Sequence, residues 1–412
     1  DALRIWNHSN FGEDLIFGPR GGSIYYWDAT AGTTVRGVPL ASLGGASNVP
    51  TLQNNFLVSD VSRFVLCFGV NGLGSSTIDP MLIRWSDQED PANWTPAITN
   101  QAGDLRLSTG SQIVTARQTR QEILVWTDSA LYSLQYLGPP FVWGAQSIGE
   151  NISIISPNAA TTANNVTYWM GTDKFYKYDG RLQTLRCDLR QFIFQNSDAG
   201  LTLNPDQNEQ VFASTVEAYN EIWWFYCSSD STSPNRYVVY NYVEDVWYYG
   251  TMNRTAWIDS GLSPNPIATT PTGFLMNQET GVDDGDTGTL LPMEAYITSA
   301  EIDIDDGHNF GFIWRLLPDL TFRGSTAASP VANFSLLPLQ NSGSGYNNPA
   351  SVGGANTAPV ARTSTLPIEE FTGQVYTRVR GRQISIKVES DGLGTTWQLG
   401  APRIDIRPDG RR

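Results

Sequence analysis

Histidine is scarce in this chain: of 412 residues only His8 and His308 carry an imidazole. A nucleophilic triad needs a base positioned against its nucleophile, most often histidine. Neither residue lies in a nucleophile-elbow context, and no Walker loop, dinucleotide fingerprint or HExxH helix occurs. Carboxylates are more plentiful. Asp87, Glu89 and Asp90 crowd one turn, Asp283, Asp284 and Asp286 a second, and Glu301, Asp303, Asp305 and Asp306 a third. Two acids from separate loops can serve glycoside hydrolysis, which keeps a glycan-degrading enzyme as an alternative. Oxygen-rich turns can hold Ca²⁺, but the last two runs lack calcium-loop spacing, and a solvated loop and a charge-protected edge strand are expected instead. Cys67, Cys187 and Cys227 stand far apart without C-x-x-C spacing, so buried thiols are expected rather than a disulfide framework or zinc site. No catalytic residue, cofactor or metal ligand is expected.

The cationic groups are more informative. The net charge is −15 and the isoelectric point about 4.5. Proteins that clasp nucleic-acid phosphates are basic, so sequence-specific DNA binding is disfavoured. Only Lys174, Lys177 and Lys387 are lysines; the other 23 of the 26 basic residues are arginine. Genomic base composition explains such a bias, and so do guanidinium forks at protein–protein contacts. From Tyr376 to Arg412 there are eight basic and four acidic residues, a local +4 that leaves −19 for the remainder.

The elements that carry these groups read as strands. Val166 to Met170 is an apolar run, Gly171-Thr172-Asp173 a break, and Phe175 to Tyr178 an alternating run closed by Asp179-Gly180. Strand, turn, strand, turn is the plain reading. The phrase recurs around Leu15 and Tyr26, Leu66 and Ile83, Leu124 and Tyr132, and Trp224 and Val238, with a weak sixth copy at 272–276. Starts fall roughly 50 residues apart, a propeller-blade period. One small sheet cannot bury both faces, whereas radially stacked sheets cover one another. The expected fold is all-β: a β-propeller of about six blades over 1–290, then a β-sandwich-like domain over 291–412. A short helix is predicted at 188–194. The Gly/Ala/Ser/Thr stretch 29–49 is expected to run over the surface, and Pro139-Pro140 to force an extended crossing between copies. The dense aromatics of 223–249 suit an inter-blade core better than a sugar platform. In the last domain a strand from Val331 is predicted to stop at Pro338, and one over 375–388 to pair with 396–406. The Ser/Gly/Asn-rich stretch 341–359 reads as a mobile or partner-ordered loop. Nothing approaches 18 consecutive apolar residues, so no membrane span is expected, and no basic-then-apolar leader is visible.

The second copy ends in Arg84-Trp85-Ser86-Asp87-Gln88-Glu89-Asp90-Pro91-Ala92-Asn93-Trp94-Thr95-Pro96. Its carboxylates can cap backbone N–H groups while the indoles pack between blades. The match to an aspartate box is weak, because its central glycine is missing. Trp85, Ser86, Asp87, Glu89, Asp90 and Trp94 resemble a phrase common in tail proteins of short-tailed bacteriophages. Arg4-Ile-Trp-Asn-His-Ser-Asn10 and the ending Arg403-Ile-Asp-Ile-Arg-Pro-Asp-Gly-Arg-Arg412 are similar to segments of the same family, the tail nozzle or hub proteins. The resemblance implies a structural virion protein of the tail, assembled in the host cytoplasm as a ring, usually of six copies. Such a ring adjoins the phage adaptor and tail fibre or needle proteins, and genome DNA passes through it without sequence-specific binding. An acidic wall would repel phosphate. Arg378, Arg380, Arg382, Arg403, Arg407, Arg411 and Arg412 are then the candidate contacts with a neighbouring subunit or the adaptor. A carbohydrate-binding propeller is the other alternative, which the aromatics equally permit.

Overall fold

Each recurrent hairpin forms the middle of a small antiparallel sheet whose strands pair in sequence order. Blade 1 contains β1 (Trp6–Phe11), β2 (Asp14–Pro19), β3 (Tyr25–Trp27) and β4 (Val38–Pro39). Blade 2 contains β5 (Gln53–Val58), β6 (Val65–Asn71), β7 (Ile78–Trp85) and β8 (Gly103–Arg106). Blade 3 contains β9 (Ile113–Gln118), β10 (Ile123–Thr127), β11 (Ala130–Gly138) and β12 (Val142–Glu150). Blade 4 contains β13 (Ala160–Ala163), β14 (Val166–Met170), β15 (Phe175–Tyr178) and β16 (Leu182–Leu185). Blade 5 contains β17 (Phe212–Val216), β18 (Glu221–Tyr226), β19 (Arg236–Asn241) and β20 (Val246–Thr251). Blade 6 has three short strands, β21 (Ala256–Ile258), β22 (Ile267–Thr269) and β23 (Leu275–Asn277). This computed structural model describes residues 3–60, 62–195, 201–261, 263–286, 288–304, 307–339 and 363–410.

Side-chain alternation shows how the sheets stack. Successive residues of a strand point to opposite faces. Ile123 and Val125 of β10 pack with Leu66, Phe68 and Ile83 of blade 2, while Leu124 and Trp126 pack with Trp169 and Phe175 of blade 4. In β18, Ile222, Trp224 and Tyr226 join the blade 4 cluster, and Trp223 and Phe225 face Trp257 of blade 6. Strands covered on both faces read as unbroken apolar runs, which is why these hairpins stand out in the sequence. The first strands of blades 1, 2 and 3 neighbour one another, as do those of blades 4, 5 and 6. The arrangement is a β-propeller with the first strand of each blade innermost.

Three expectations need correction. The stretch 29–49 is not mere surface linker: it contributes β4, and Leu40 is fully buried with Val49 against Phe56 and Trp94. A few large side chains suffice to anchor a segment otherwise poor in them. Pro139-Pro140 does not cross between copies; it lies at the tip of the β11–β12 hairpin inside blade 3, where Gly138 and Val142 take positive φ. The predicted helix is shorter, α1 (Arg190–Phe194), with Ile193 as its buried anchor.

The chain divides into two units, Asp1–Glu279 and Thr280–Arg412; the domain boundary expected at 290/291 falls a little later. The second unit opens with the small pair β24 (Asp283–Asp284) and β25 (Leu291–Pro292). Its larger sheet holds β26 (Ala295–Thr298), β27 (Ile302–Asp303), β30 (Val331–Leu339), β31 (Ser364–Glu369) and β33 (Gln383–Ser390). A three-stranded sheet places β28 (Gly311–Leu317) between β32 (Val375–Gly381) and β35 (Arg403–Pro408), and β29 (Leu320–Thr321) pairs with β34 (Gln398–Leu399). Ile313, Leu316 and Val379 of the small sheet pack with Phe334, Leu336, Ile384 and Val388 of the larger one, a sandwich-like core.

Here too the sequence reading is amended. β30 runs through Pro338, because among the described residues pairing with β31 ends at Leu336 and Pro338 is beside β33 alone. A missing N–H is tolerated where one edge is open. The 375–388 run breaks at Arg382, so that β32 and β33 enter different sheets. Its expected partner, 396–406, joins neither; β35 pairs with β28 and β34 with β29. The loop 341–359 lies outside the described residues.

Candidate functional site

The two arginine-bearing strands, far apart in sequence, flank one strand in space. Phe312 of β28 stands between Arg380 of β32 and Arg407 of β35, and Ile313 between Val379 and Ile406. A register shift between Ile313 and Arg315 leaves Trp314 without a ladder partner, while Arg315 pairs with Tyr376 and Asp405. Alternation then sorts the side chains. Thr377 and Val379 turn inward, and Tyr376, Arg378 and Arg380 are exposed. Because only one face of this sheet meets the sandwich core, the other is left to polar and amphipathic side chains.

Aromatic rings organise the guanidinium groups on that face. The Trp314 ring has the Arg315 and Arg407 guanidinium carbons each 4.9 Å from its centroid, and Tyr376 stacks beside it at 6.2 Å and 23°. Phe310 holds Arg380 at 4.0 Å and Arg382 at 4.8 Å. Such contacts contribute about 0.5–1 kcal/mol each when exposed. Two carboxylates are woven in: Arg315 donates to Asp405 at 2.5 Å, and Arg380 pairs with Asp409. Backbone bonds Phe310 N–H to Gly410 O (2.7 Å) and Asp409 N–H to Phe310 O (2.8 Å) prolong the ladder and fix Asp409 beside Arg380. Arg378, Arg403 and Arg407 are exposed and have no ion pair among the described residues. The face thus combines guanidinium groups held against rings, those of Arg315, Arg380 and Arg407, with exposed Arg378 and Arg403, planar donors of the kind that recognise carboxylates bidentately.

Of the candidate arginines, Arg378, Arg380, Arg403 and Arg407 come together on this sheet. Arg382 sits in the link to β33, where its N–H donates to Leu339 O at 2.9 Å. Arg411 and Arg412 lie outside the described residues. Sequence reasoning missed the aromatic half of the surface, Phe310, Trp314 and Tyr376. Their alternation was visible, but nothing local shows that residues as distant in sequence as Tyr376, Arg380 and Arg407 supply the partners.

The Trp85–Trp94 phrase belongs to the propeller and acts as a fastening. Trp85 and Trp94 are buried, in the clusters between blades 2 and 3 and between blades 1 and 2 respectively. Asp87 accepts from the Gln88 and Gln101 amides at 2.8 and 2.9 Å, and Asp90 from Ala92 at 2.9 Å. The Ser86 hydroxyl accepts from the Val65 amide at 3.1 Å. Glu89 takes φ 58° and donates its N–H to Arg63 O at 3.1 Å. Buried Arg84 donates to Asn71 O and Asn48 O and lies 5.9 Å over Trp94. These carboxylates close turns, as their spacing suggested. Of the aromatics in 223–249, Trp223, Trp224, Phe225, Tyr226 and Tyr240 are buried core, Tyr237, Tyr242, Trp247 and Tyr249 are half-buried, and Tyr248 is exposed. His8 and His308 are exposed and lie in different units.

Two concavities among the described residues of the propeller bear on ligand binding. One, about 550 Å³, is lined by Arg4 and Arg20 of blade 1, Asn54 of blade 2, Gln112 of blade 3 and Glu209 of the segment entering blade 5. Arg20 and Glu209 approach to 3.5 Å there. The other, about 330 Å³, is an aromatic groove of Trp6, Phe17 and Tyr25 with Arg36 and Gly37. A Cβ on Gly37 would lie 2.6 Å from the Phe17 ring, so glycine is needed for that approach.

No protein-family model matches the chain, and no curated protein matches it. Among solved structures it is similar to the extracellular domain of the putative one component system BT4673 from B. thetaiotaomicron, at 10% identity and TM-score 0.40, over 69% of this chain and 33% of that one. It is also similar to BamB from Moraxella catarrhalis, at 10% identity and TM-score 0.38, over 74% of this chain and 80% of that one. The chain therefore spans about a third of the length of the first.

Proposed function

We propose that this chain is a structural virion protein, a nozzle or hub subunit in the tail of a short-tailed bacteriophage. Copies of it, six by the family resemblance, would form a ring that continues the portal and adaptor channel for the leaving genome. The observation that carries this reading is the exposed arginine–aromatic face of the β32–β28–β35 sheet on a chain of net charge −15. Planar cations held against rings are enriched at protein contacts, and an acidic remainder would not hold phosphate. The resemblance around Trp85–Trp94, Arg4 and the C-terminal arginines points the same way. Light scattering and negative-stain imaging of the purified chain test it. Rings with a mass near six copies are expected; a monomer that hydrolyses a chromogenic glycoside would refute it.

The Trp6–Phe17–Tyr25 groove favours a second reading, a carbohydrate-binding propeller. Phe17 stacks between Trp6 at 6.4 Å and Tyr25 at 5.6 Å, and sugar rings stack on such platforms with Arg36 available to their hydroxyls. Glycan-array binding by a monomer, lost in Trp6→Ala, would favour it.

A further inference from the structure

Negative charge is unevenly spread over the propeller. The first unit holds 26 acidic and 15 basic residues, a formal −11. Residues 201–279 alone contribute nine acidic side chains against Arg236 and Arg254, so −7 of it arises in blades 5 and 6 and their entry. Strand order concentrates part of this at one edge. The β17–β18 and β19–β20 turns lie at the same end of blade 5, tied by Asn241 Nδ2 to Tyr219 O at 3.0 Å and Tyr242 N–H to Asn220 O at 3.0 Å. Glu217 and Glu244 are exposed there. Asp259 of blade 6 joins them by accepting the Glu217 N–H at 2.8 Å. Apolar side chains accompany the acids: Tyr219 is 54% exposed, Val243 62% and Ile258 67%. An edge both acidic and apolar is the chemical complement of a face both cationic and aromatic.

We infer that the Arg378–Arg380–Arg407 face of one copy docks on the Glu217–Glu244 edge of blades 5 and 6 of a second copy. The inference rests on the assembly reading above and names the contact that would build it. The two patches differ, so the contact is head-to-tail: repeated by rotation it closes a ring, and otherwise it grows a filament. Guanidinium forks meet carboxylates, while Trp314 and Tyr376 cover Tyr219 and Val243. Opposed potentials would speed encounter and fix register.

A charge swap in the full-length chain tests this. Arg378→Glu with Arg407→Glu, and separately Glu217→Lys with Glu244→Lys, should each weaken self-association at least about 10-fold, since like charges then face each other. Mixing the two variants should restore association to within about 3-fold of the unmodified chain, with each dissociation constant read by sedimentation. If the first pair unfolds the domain, Arg403→Glu, an exposed residue of the same sheet, replaces it. An unmodified chain that stays monomeric overturns the assembly reading and this contact together. A chain that assembles regardless of either reversal overturns the contact alone. Loss of binding to a single-stranded oligonucleotide in the arginine variant, with assembly intact, would make the face a nucleic-acid surface and overturn the contact as well.

Discussion

Blade 5 and the β32–β28–β35 sheet carry similar aromatic side chains on strands and use them in opposite ways. In blade 5 the central strand is covered by blade 4 on one side and blade 6 on the other, and Trp224 is fully buried, 4.9 Å from Phe175. In the C-terminal sheet the described residues cover one face, and half-buried Trp314 and exposed Tyr376 lie on the other among guanidinium groups. An aromatic run therefore means core when both neighbours are sheets, and display surface when one neighbour is solvent. The two regions differ in what a mutation should change: stability in one, association in the other.

Removing Trp224 should have the largest effect. Trp224→Ala empties a fully buried site and should cost about 3–5 kcal/mol in urea titration. Trp314→Ala should cost clearly less, about 1–2 kcal/mol, because Trp314 is only half-buried and loses two cation–π contacts worth about 0.5–1 kcal/mol each. Equal losses would break the comparison. Next comes an acid-labile fastening in blade 3. Burial tends to raise the Asp128 pKa, but the Ser111 hydroxyl and amide, together with the Gln112 amide, outweigh it and hold it low. The Ser111 amide bond measures 2.9 Å. Gly110, at φ 117°, permits this closeness, for a Cβ there would lie 2.8 Å from the carboxylate. A carboxyl whose folded pKa is depressed stabilises above its unfolded value and loses that contribution as pH falls through the folded one. Melting temperature should thus drop on acidification below pH about 4. Asp128→Asn should melt lower at neutral pH and show a flatter acid limb.

Smaller effects sharpen the contrast. A double-mutant cycle on Arg315 and Asp405, each about one-third exposed, should give a coupling of roughly 0.2–1 kcal/mol. Arg378→Ala, on the outer face, should leave folding stability within about 0.5 kcal/mol while weakening association. A large stability loss there would mark the residue as a structural strut instead.

What could be read in the chain follows from this covering. The middle strands of each blade, such as Val166–Met170 and Phe175–Tyr178, are enclosed on both sides, so their residues are apolar or aromatic and their turns sharp. Outer strands were not legible: Val38–Pro39 and Gly103–Arg106 are short and partly polar, because solvent takes one side. Blade 6 left only a faint signal, since its strands hold three residues each. In the second unit, strand existence was visible and pairing was not. Alternation in 396–406 fits any neighbour, and the choice of Gly311–Leu317 is made by a core assembled from distant residues. The arginines could be singled out by type and charge, whereas their aromatic partners emerged only once β28 lay between the two arginine strands.

Sedimentation of the unmodified chain at low and high salt tests the central claim most directly. Charge pairing at the rim of an interface is screened once the Debye length shrinks from about 10 Å at 0.1 M salt to about 3 Å at 1 M. A closed multi-copy species near 0.1 M, weakened or dissociated near 1 M, is the predicted result. A monomer at both salt concentrations would contradict the account.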